Sequence, residues 1–376
     1  MGRKIKVLII VGSLGVGGNE LFVMNILRTI NYEKFSIDLL VYDRTRLDFY
    51  DEAIGYGCKI FLCRKQSNMA GRMAEVYRCI KKEGPYDAIH VNSCSFKGLL
   101  TGTVPAKIAR TSNVIAHSHN SGNFSTKWLD RVFRLLLKSI LENSINVGLS
   151  CSDLAGRSKY TEKFMMSKRY KIIHNAIFID QYRYHESYRK RIRKQYCIEE
   201  KVVVGNVGRL VKQKNQRFLI ELLPDLINRN KNFLLMIIGD GELEQELKSL
   251  VHIKGLENYV LFTGNITNVN EFYSAMDVFV MSSEFEGFPF TAVEAQANGL
   301  KCILSDHITQ MTNISGDVAY VSLRDKKEWE DKICEAAVSR SEEKKTDYVI
   351  NQYDLRKEIK VIEEYYQNTY IPENNK

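Results

Sequence analysis

The chain has 376 residues, 44% of them apolar and only five of them proline, which is the composition of an ordinary globular protein rather than a disordered or collagen-like one. Lys and Arg number 54 against 45 Asp and Glu, so the net charge is +9. The apolar runs fall far short of the roughly 20 residues that a membrane span needs, and at about 150 residues per domain the length predicts two domains.

The excess of positive over negative charge lies entirely in the first half of the chain. Residues 1–182 contain 27 Lys and Arg against 15 Asp and Glu, whereas residues 183–376 contain 27 against 30. This asymmetry predicts a partner of negative charge, of which nucleic acid, an anionic membrane surface and an acidic substrate are the three candidates.

Strand-like apolar runs alternate with helix-like segments along the whole chain. The first run, Lys6–Val11, is almost entirely apolar, as in a strand buried on both faces of a parallel sheet; a glycine-rich turn and a helical pattern over Glu20–Ile30 follow it. The further predicted strands are, in chain order, Ile37–Val41, Lys59–Leu62, Ala88–Val91, Val114–His117, Val147–Ser150, Val202–Asn206, Leu234–Ile238, Val260–Phe262, Val278–Met281 and Lys301–Leu304. This alternation predicts two doubly wound α/β domains with parallel sheets.

The pattern restarts in the middle of the chain, which places the domain boundary near Asn175–Glu186. We therefore predict a first domain at residues 1–182 and a second at residues 183–352. The stretch Tyr353–Tyr370 predicts a helix rich in Lys, Glu and Tyr.

The cysteines indicate a reducing compartment. All eight are scattered and none forms a Cys-x-x-Cys pair, which argues against a zinc site and against a disulfide framework. Basic residues precede the first apolar run, but no small-residue cleavage site follows it, so we expect no secretory signal and a cytoplasmic location.

The first candidate site is the turn Gly12-Ser-Leu-Gly-Val-Gly17-Gly18-Asn-Glu20, which follows a strand and opens a helix. Glycines let backbone N–H groups approach an anion, and the helix N-terminus adds partial positive charge. Because Glu20 stands where a dinucleotide-binding loop has its third glycine, and because the lysine of a P-loop is absent, a tight turn explains the motif as well as phosphate binding does.

The second candidate site is the basic segment Gly208-Arg209-Leu-Val-Lys212-Gln-Lys214-Asn215, just after the strand at Val202–Asn206. Open α/β sheets bind ligands at the carboxyl ends of their strands, where Arg209 and Lys214 would stand. Arg suits bidentate contact with a diphosphate and Lys suits a point-charge contact. A basic surface loop is the alternative.

The third candidate site contains two acids, Glu286 and Glu294, in Ser283-Glu284-Phe-Glu286-Gly-Phe-Pro289-Phe-Thr-Ala-Val-Glu294-Ala295. Pro289 predicts a helix start, so Glu286 lies in a loop and Glu294 inside the helix. Eight helical positions span about 12 Å, more than the ~5–9.5 Å between the acids of a glycosidase. The two acids therefore hold different parts of one long ligand, with Glu284 as a rival for either role.

The fourth candidate site is Ala116-His117-Ser-His119-Asn120, at the end of a predicted strand. His117 and His119 share one face of that strand, so they are candidates for metal binding, although no third ligand is evident. The alternatives are a histidine satisfied within its loop and a histidine that reaches into a cleft.

Together these motifs resemble those of the retaining nucleotide-sugar glycosyltransferases of family 4, among the group 1 glycosyltransferases of bacterial capsule, exopolysaccharide and lipopolysaccharide synthesis. The matching residues are Gly17-Gly18-x-Glu20, His119, Gly208-Arg209-Leu210 with Lys214-Asn215, Gly239-Asp240-Gly241, and Glu286 followed by Glu294. The resemblance covers nearly the whole chain. It implies the GT-B fold, in which two Rossmann-like domains face a cleft, the first binding the acceptor and the second the nucleotide sugar, and the C-terminal helix packs back on the first domain.

The resemblance implies roles in donor binding. Gly17 and Gly18 would face the donor diphosphate, Arg209 and Lys214 would clamp it, and Glu294 would hold the ribose hydroxyls. In keeping with GT-B enzymes we expect no cofactor and no metal ion.

The resemblance also implies two catalytic residues. Glu286 would contact the donor sugar, and His119 would lie beside the reacting anomeric carbon. His119 takes this part rather than His117 because the family histidine precedes a short polar residue, here Asn120.

The segment Lys127–Ile140 has an amphipathic pattern. Its basic residues recur as one helical stripe, opposite an apolar side; the stripe is Lys127, Arg131, Arg134 and Lys138, and the apolar side is Trp128, Val132, Leu135 and Leu136. Two interpretations stay open: a helix in the interface of an anionic membrane, or a core helix with a solvated basic face. Nucleic acid is excluded as the partner because no binding motif accompanies the charge.

The sequence thus predicts a cytoplasmic enzyme, peripheral at the inner face of the cell membrane, that transfers a sugar with retention from a nucleotide-diphosphate sugar to a glycan or polyprenyl-linked acceptor. UDP is the expected nucleotide, and bacterial surface polysaccharide is the expected product. The alternatives are a sugar-nucleotide epimerase of the same fold and a non-catalytic nucleotide-binding partner of another glycosyltransferase.

Overall fold

The protein forms two compact units in a computed structural model that describes residues 3–15, 17–64, 68–119, 128–338 and 353–367, without the side chains of residues 128–131 and 338. Unit 1 comprises Met1–Asn175 and the segment from Leu355 onward, and unit 2 comprises Ala176–Asp354. The division falls between Asn175 and Ala176, whereas the expected boundary is 182–183.

Unit 1 is built on a seven-stranded parallel sheet with the strand order β3-β2-β1-β4-β5-β6-β7. The strands are β1 (Ile5–Val11), β2 (Phe35–Val41), β3 (Lys59–Leu62), β4 (Ala88–Ser93), β5 (Asn113–Ser118), β6 (Val147–Ser150) and β7 (Tyr170–Ile172). Sequence analysis found the first six. It missed β7, because three residues with no fully buried side chain carry too short an apolar pattern.

Seven helices connect these strands: α1 (Gly18–Thr29), α2 (Tyr50–Gly55), α3 (Met69–Glu83), α4 (Phe96–Ile108), α5 (Trp128–Ser144), α6 (Asp153–Lys159) and α7 (Glu162–Met165). Side-chain caps fix several starts, since Asn68, Ser95, Ser152 and Thr161 each accept a hydrogen bond from a backbone N–H of the first turn of α3, α4, α6 and α7. One sheet face packs on α3 and α4 through an apolar cluster that includes Leu8, Ile10, Val91 and Ala116.

Unit 2 is built on a six-stranded parallel sheet with the order β10-β9-β8-β11-β12-β13. The strands are β8 (Val202–Val207), β9 (Phe233–Ile238), β10 (Val260–Gly264), β11 (Val278–Met281), β12 (Cys302–Ser305) and β13 (Val318–Val321). The helices are α8 (Ile179–Tyr182), α9 (Glu186–Gln195), α10 (Gln216–Arg229), α11 (Glu244–Ile253), α12 (Val269–Ala275), α13 (Phe290–Ala297) and α14 (Lys326–Val338). Sequence analysis missed only β13 among these strands, since three of its four residues are partly exposed.

The last described helix, α15 (Leu355–Gln367), belongs to unit 1 and packs on α1 and β1. Its buried residues are Leu355, Ile359, Ile362 and Tyr366. Its Glu363 accepts a hydrogen bond of 2.8 Å from the backbone N–H of Asn31. The helix is predicted to continue to Tyr370, but residues 368–370 lie outside the described part of the chain.

The outer surface of α5 is apolar, contrary to the predicted core helix with a solvated basic face. Arg134 is partly buried, and the ammonium of Lys138 donates a hydrogen bond to the Arg157 carbonyl. Lys127 and the side chains of Trp128 and Arg131 lie outside the described residues. The exposed large apolar side chains of α5 are Val132, Phe133, Leu135, Leu136 and Ile140. In a core helix the apolar side would pack inward and these side chains would be buried. Within the described ranges no helix is both long and apolar enough to cross a membrane.

A buried charge cluster fixes α9 to the start of β11. Asp277 accepts hydrogen bonds from Arg193 at 2.5 Å, from Arg189 at 2.6 Å and from the backbone N–H of Val203 at 2.7 Å. Arg193 is 6% exposed, so the basic run of α9 is a solvated face only in part. Burial lowers the pKa of Arg193, and the nearby Asp277 carboxylate opposes that shift.

Replacing this carboxylate tests the cluster. Asp277→Ala leaves the Arg193 guanidinium buried without its counter-charge, so we expect the free energy of unfolding of unit 2 to fall by about 3–5 kcal/mol. Urea unfolding followed by circular dichroism measures the loss. The control is Asp331→Ala, which removes an exposed partner of Arg229 and should leave the urea midpoint almost unchanged. Equal effects of the two variants would contradict this account.

Candidate functional site

The main candidate site of unit 2 lies where its strand order reverses direction, between the neighbouring strands β8 and β11. Open α/β sheets bind ligands outside the carboxyl ends of the strands at such a point. Two segments leave the sheet there: the β8 loop (residues 208–215) and the β11 loop (residues 282–289). The sequence-predicted basic and acidic motifs are therefore adjacent in space.

The β8 loop and the β11 loop are joined by hydrogen bonds. The backbone N–H of Glu284 donates to the Gln213 carbonyl at 2.8 Å, and the Gln213 side chain donates to the Phe285 carbonyl at 2.8 Å. The Ser282 hydroxyl donates to the Asn215 carbonyl, also at 2.8 Å. These bonds fix the positions of the charged side chains that both loops carry.

The central contact of the site is an ion pair between Lys214 and Glu286, with 2.6 Å between Nζ and Oε1. The side chains are 17% and 12% exposed, so water screens their attraction only in part. Lys214 ends a 3₁₀ turn, and Asn215 follows it with φ +52°, the left-handed conformation that Asn tolerates well and from which α10 starts. The pair places one positive and one negative group at the reversal point.

The β8 loop packs on a third loop, which follows β9 and contains Gly239, Asp240 and Gly241. Gly239 has φ +134°, and a Cβ atom there would lie 2.2 Å from the Gly208 carbonyl oxygen. A Cβ atom on Gly241 would lie 2.4 Å from the Leu210 carbonyl oxygen, and the Leu210 N–H donates to the Asp240 carbonyl at 2.7 Å. Only glycine permits this approach, which explains the Gly-Asp-Gly motif as a structural support.

Arg209 is an exposed cation in the same loop as Lys214. The Gln216 side chain donates to its backbone carbonyl at 3.1 Å, which anchors the loop. Its guanidinium forms no ion pair with an acid in the part of the chain that the structure describes. This leaves all of its donors available to a ligand, in contrast to Lys214.

Glu294 lies on α13 in a different environment from Glu286. It is 3% exposed, and the Tyr273 hydroxyl donates to its Oε2 at 2.6 Å. Burial raises the pKa of Glu294, whereas hydrogen bonds from Tyr273 and Tyr182 lower it. A carboxylate offers about four acceptor sites, so the two tyrosine bonds leave capacity for a ribose hydroxyl.

In unit 1 the predicted glycine turn follows β1, at the reversal point between β1 and β4. Gly17 is the N-cap of α1, and Gly18 is its first residue. The Ser13 hydroxyl donates to Glu20 at 2.7 Å, which turns the Glu20 carboxylate back toward the loop. A carboxylate at this position interacts favourably with the N-terminus of α1.

His117 on β5 and His119 just after it lie on one face of the sheet, as predicted, with ring centroids 4.1 Å apart. Sequence analysis missed their neighbours His90 and Asn92 on β4. The His90 ring stacks on His117 at 5.5 Å, and His119 Nε2 lies 3.0 Å from Asn92 Oδ1. The alternation of polar residues along β4 is the signal that could have identified these neighbours. Asn120, which the assignment of His119 used, lies outside the described residues.

All three histidines are buried and uncharged at neutral pH. Burial lowers the pKa of His90 and of His119 to about 3, with a smaller contribution to His119 from the charge of His90. Burial also places the pKa of His117 well below 6.5, with contributions from the other two rings. His119 is therefore a neutral hydrogen-bonding group and not a cation. Among the described residues no group of three or more His, Cys, Asp or Glu side chains is arranged to hold a metal ion.

The histidines predict an acid-sensitive fold. Between about pH 6.5 and pH 3 the unfolded chain binds protons that these folded histidines do not, so the free energy of unfolding falls as pH decreases below 6.5. Each histidine contributes up to about 1.4 kcal/mol per pH unit. His117→Gln should reduce this slope in urea unfolding from pH 7 to 5. An unchanged slope in His117→Gln would contradict the assignment.

Comparison with known proteins matches most of unit 2 to a protein family. Residues 188–351 match the family model described as glycosyl transferases group 1. The protein named "Putative glycosyltransferase EpsF" of Bacillus subtilis (strain 168) is 29% identical over 340 residues, which cover 89% of this chain and 88% of that protein. The UDP-Gal:alpha-D-GlcNAc-diphosphoundecaprenol alpha-1,3-galactosyltransferase of Escherichia coli is 28% identical over 290 residues, which cover 73% of this chain and 72% of the relative.

A solved structure matches the whole fold. The crystal structure of Anabaena HepE in complex with UDP and glucose superposes with a TM-score of 0.76 and 18% identity, covering 96% of this chain and 99% of that one. At this identity the match concerns the fold alone, and it confirms the predicted GT-B fold with its two parallel-sheet units. The chain therefore contains a group 1 glycosyltransferase domain at residues 188–351 and has the GT-B fold.

Proposed function

We propose that the protein transfers a sugar, with retention of configuration, from a nucleotide-diphosphate sugar to a glycan or polyprenyl-linked acceptor in bacterial surface polysaccharide synthesis. The observation that carries this proposal is the Lys214–Glu286 pair at the β8/β11 reversal point, inside the group 1 glycosyltransferase domain. A cation for the diphosphate and an acceptor for sugar hydroxyls stand side by side there.

The donor diphosphate would be held by two unlike cations. Arg209 can make a bidentate contact with phosphate oxygens, and Lys214 can make a point-charge contact. When the bond between the anomeric carbon of the donor sugar and the diphosphate oxygen breaks, negative charge develops on the leaving diphosphate, and these two cations stabilise it without a metal ion. Glu294 is proposed to hold the ribose, and Gly17 and Gly18 to face the diphosphate through their backbone.

Retention through a covalent intermediate on Glu286 is disfavoured by its ion pair. A carboxylate held 2.6 Å from an ammonium group has its charge partly neutralised, which makes it a weak nucleophile. We therefore propose that Glu286 binds the donor sugar and that the departing diphosphate takes the acceptor proton. His119, neutral because it is buried, is proposed to form a hydrogen bond with the reacting sugar.

The names of the relatives support the choice of substrates. The Escherichia coli relative uses UDP-Gal as donor and a diphosphoundecaprenol-linked sugar as acceptor, and the Anabaena structure contains UDP. On this basis we propose UDP as the nucleotide and a polyprenyl-linked acceptor for the present chain.

The acceptor's lipid chain requires contact with a bilayer, for which we propose the exposed apolar surface of α5. Phe133 is 62% and Leu136 is 58% exposed, and with Ile140 they follow a spacing of three and four residues along one helix face. The net positive charge of residues 1–182 favours an anionic lipid surface. We therefore propose that the apolar surface of α5 binds the inner face of an anionic cell membrane.

Two pairs of variants test the donor site. Lys214→Ala and Glu286→Ala should each abolish sugar transfer, whereas Lys212→Ala and Glu284→Ala, at exposed positions of the same loops, should retain it. Transfer from UDP-sugars to a diphosphoundecaprenol-linked sugar is measured by mass spectrometry, and the anomeric configuration of the product by NMR. Near-normal transfer by both Lys214→Ala and Glu286→Ala would exclude the proposed roles.

Two further measurements on the unmodified protein separate the alternatives. An epimerase would convert a UDP-sugar into its isomer without any acceptor, and NMR of the donor alone detects this. A non-catalytic binder would be stabilised by UDP, by about 2.7 kcal/mol at 100 times the dissociation constant, but would neither transfer nor slowly hydrolyse the donor.

A double variant tests the membrane surface. Phe133→Ser with Leu136→Ser removes two apolar side chains, each of which contributes about 1.5–3 kcal/mol on full burial, so binding to phosphatidylglycerol vesicles should weaken at least tenfold. Co-sedimentation measures it, and added salt should weaken binding by the unmodified protein as well. Ile253→Ser, at an 80% exposed position of unit 2, is the control. Equal vesicle binding by all three proteins would contradict the proposal.

A further inference from the structure

A layer of polar side chains lies inside unit 1, where an apolar core is expected. We call it the histidine layer; it consists of His90 and Asn92 on β4, His117 on β5 and His119 immediately after β5. Alternation along the strands puts them on one face of the sheet, since Asn92 pairs in register with His117. The opposite faces of the same strands carry the apolar residues Ile89, Val91, Val114 and Ala116.

Two helices cover the histidine layer. Phe22 of α1 contacts His117 edge-on at 4.6 Å and His119 at 4.8 Å, measured between ring centroids. The hydroxyl of Tyr366 on α15 lies 2.7 Å from His90 Nδ1. The ring of His119 contacts both neighbouring rings, His117 at 4.1 Å and Phe22 at 4.8 Å, which restricts its rotation.

With the Asn92 amide oriented as in the structure, its contact with His119 indicates which ring nitrogen carries the proton. A carbonyl oxygen accepts and never donates, so Asn92 Oδ1 at 3.0 Å requires a proton on His119 Nε2. A neutral imidazole has one N–H only, which leaves a lone pair on Nδ1. That atom is buried and has no hydrogen-bond partner among the described residues. Asn92 Nδ2, His90 Nε2 and both ring nitrogens of His117 also lack a partner among the described residues, so the whole layer has unused hydrogen-bonding capacity. For Nδ1 of His119, a ligand hydroxyl is the group that would satisfy it.

We infer that Asn92 is a positioning residue that holds His119 as the Nε2–H tautomer, so that His119 meets a substrate hydroxyl only as an acceptor, through Nδ1. The inference rests on the proposed function, because it assigns His119 to the reacting sugar. This positioning role differs from a general contribution of Asn92 to stability, because it decides which ring nitrogen of His119 carries the proton. Among the described residues, the groups near His119 that can titrate are His90 and His117, and Tyr366 contacts the layer at His90.

Three variants separate positioning from stability. Asn92→Ala removes the acceptor and frees the tautomer. Asn92→Asp replaces a neutral acceptor by a carboxylate, which favours the protonated imidazolium and raises the pKa of His119. Asn113→Ala is the matched control, since Asn113 is a buried asparagine at the opposite end of β5 whose side chain donates to the Tyr365 carbonyl.

The tautomer is measured by NMR of the full-length protein labelled with ¹⁵N-histidine, and the His119 signals are assigned by their loss in His119→Gln. We expect protonated Nε2 and unprotonated Nδ1 in the unmodified protein and in Asn113→Ala, and a tautomer mixture in Asn92→Ala. An Nδ1–H tautomer in the unmodified protein, or an unchanged tautomer in Asn92→Ala, would overturn the inference.

Kinetics give a second, independent readout. We expect Asn92→Ala to lower kcat at least tenfold while KM for the donor changes less than about twofold, since a small misplacement of a reacting group is costly. Asn92→Asp should move the acidic limb of the pH profile of kcat to higher pH, and Asn113→Ala should leave that profile unchanged. An unaltered kcat and pH profile in both Asn92 variants would also overturn the inference. Failure of the unmodified protein to transfer sugar would instead contradict the proposed function, because the tautomer measurement does not depend on turnover.

Discussion

The reversal of strand order between β8 and β11 is the constraint on which the candidate donor site depends. Parallel strands carry their following loops on one edge of the sheet, and at the reversal point the two neighbouring loops lead to helices on opposite faces. The β8 loop and the β11 loop are therefore free to approach each other, and hydrogen bonds from Gln213 and Ser282 join them. The ion pair of Lys214 with Glu286 follows from this arrangement, although the two residues are 72 positions apart in the sequence.

Burial then gives similar residue types different chemical properties. The charge of Glu286 is paired with a lysine. Glu294, which lies on α13, instead accepts hydrogen bonds from tyrosine hydroxyls, and burial raises its pKa. In unit 1 burial keeps His119 uncharged, and the Asn92 carbonyl determines where its proton lies. Each of these properties depends on neighbours from other segments of the chain.

Much of the fold could be predicted from the sequence because a parallel sheet covered by helices requires apolar strands at regular intervals. Runs such as Lys6–Val11 and Val202–Asn206 satisfy that requirement and were found. The short strands Tyr170–Ile172 and Val318–Val321 were not, since partly exposed residues in three or four positions carry little pattern. The orientation of α5 was predicted wrongly in its core-helix form, because amphipathicity identifies two helix faces but not the face that packs inward.

The sequence by itself determined the two α/β units, the positions of the glycine, basic, acidic and histidine motifs, and the resemblance to group 1 glycosyltransferases, since all of these are properties of local order along the chain. Only the tertiary structure decided that Lys214 pairs with Glu286, that His90 and Asn92 complete the histidine layer, and that the apolar side of α5 is exposed. The physical reason is that ion pairing, tautomer choice and burial depend on distances between residues far apart in sequence, and those distances are fixed only when the strands are ordered in a sheet.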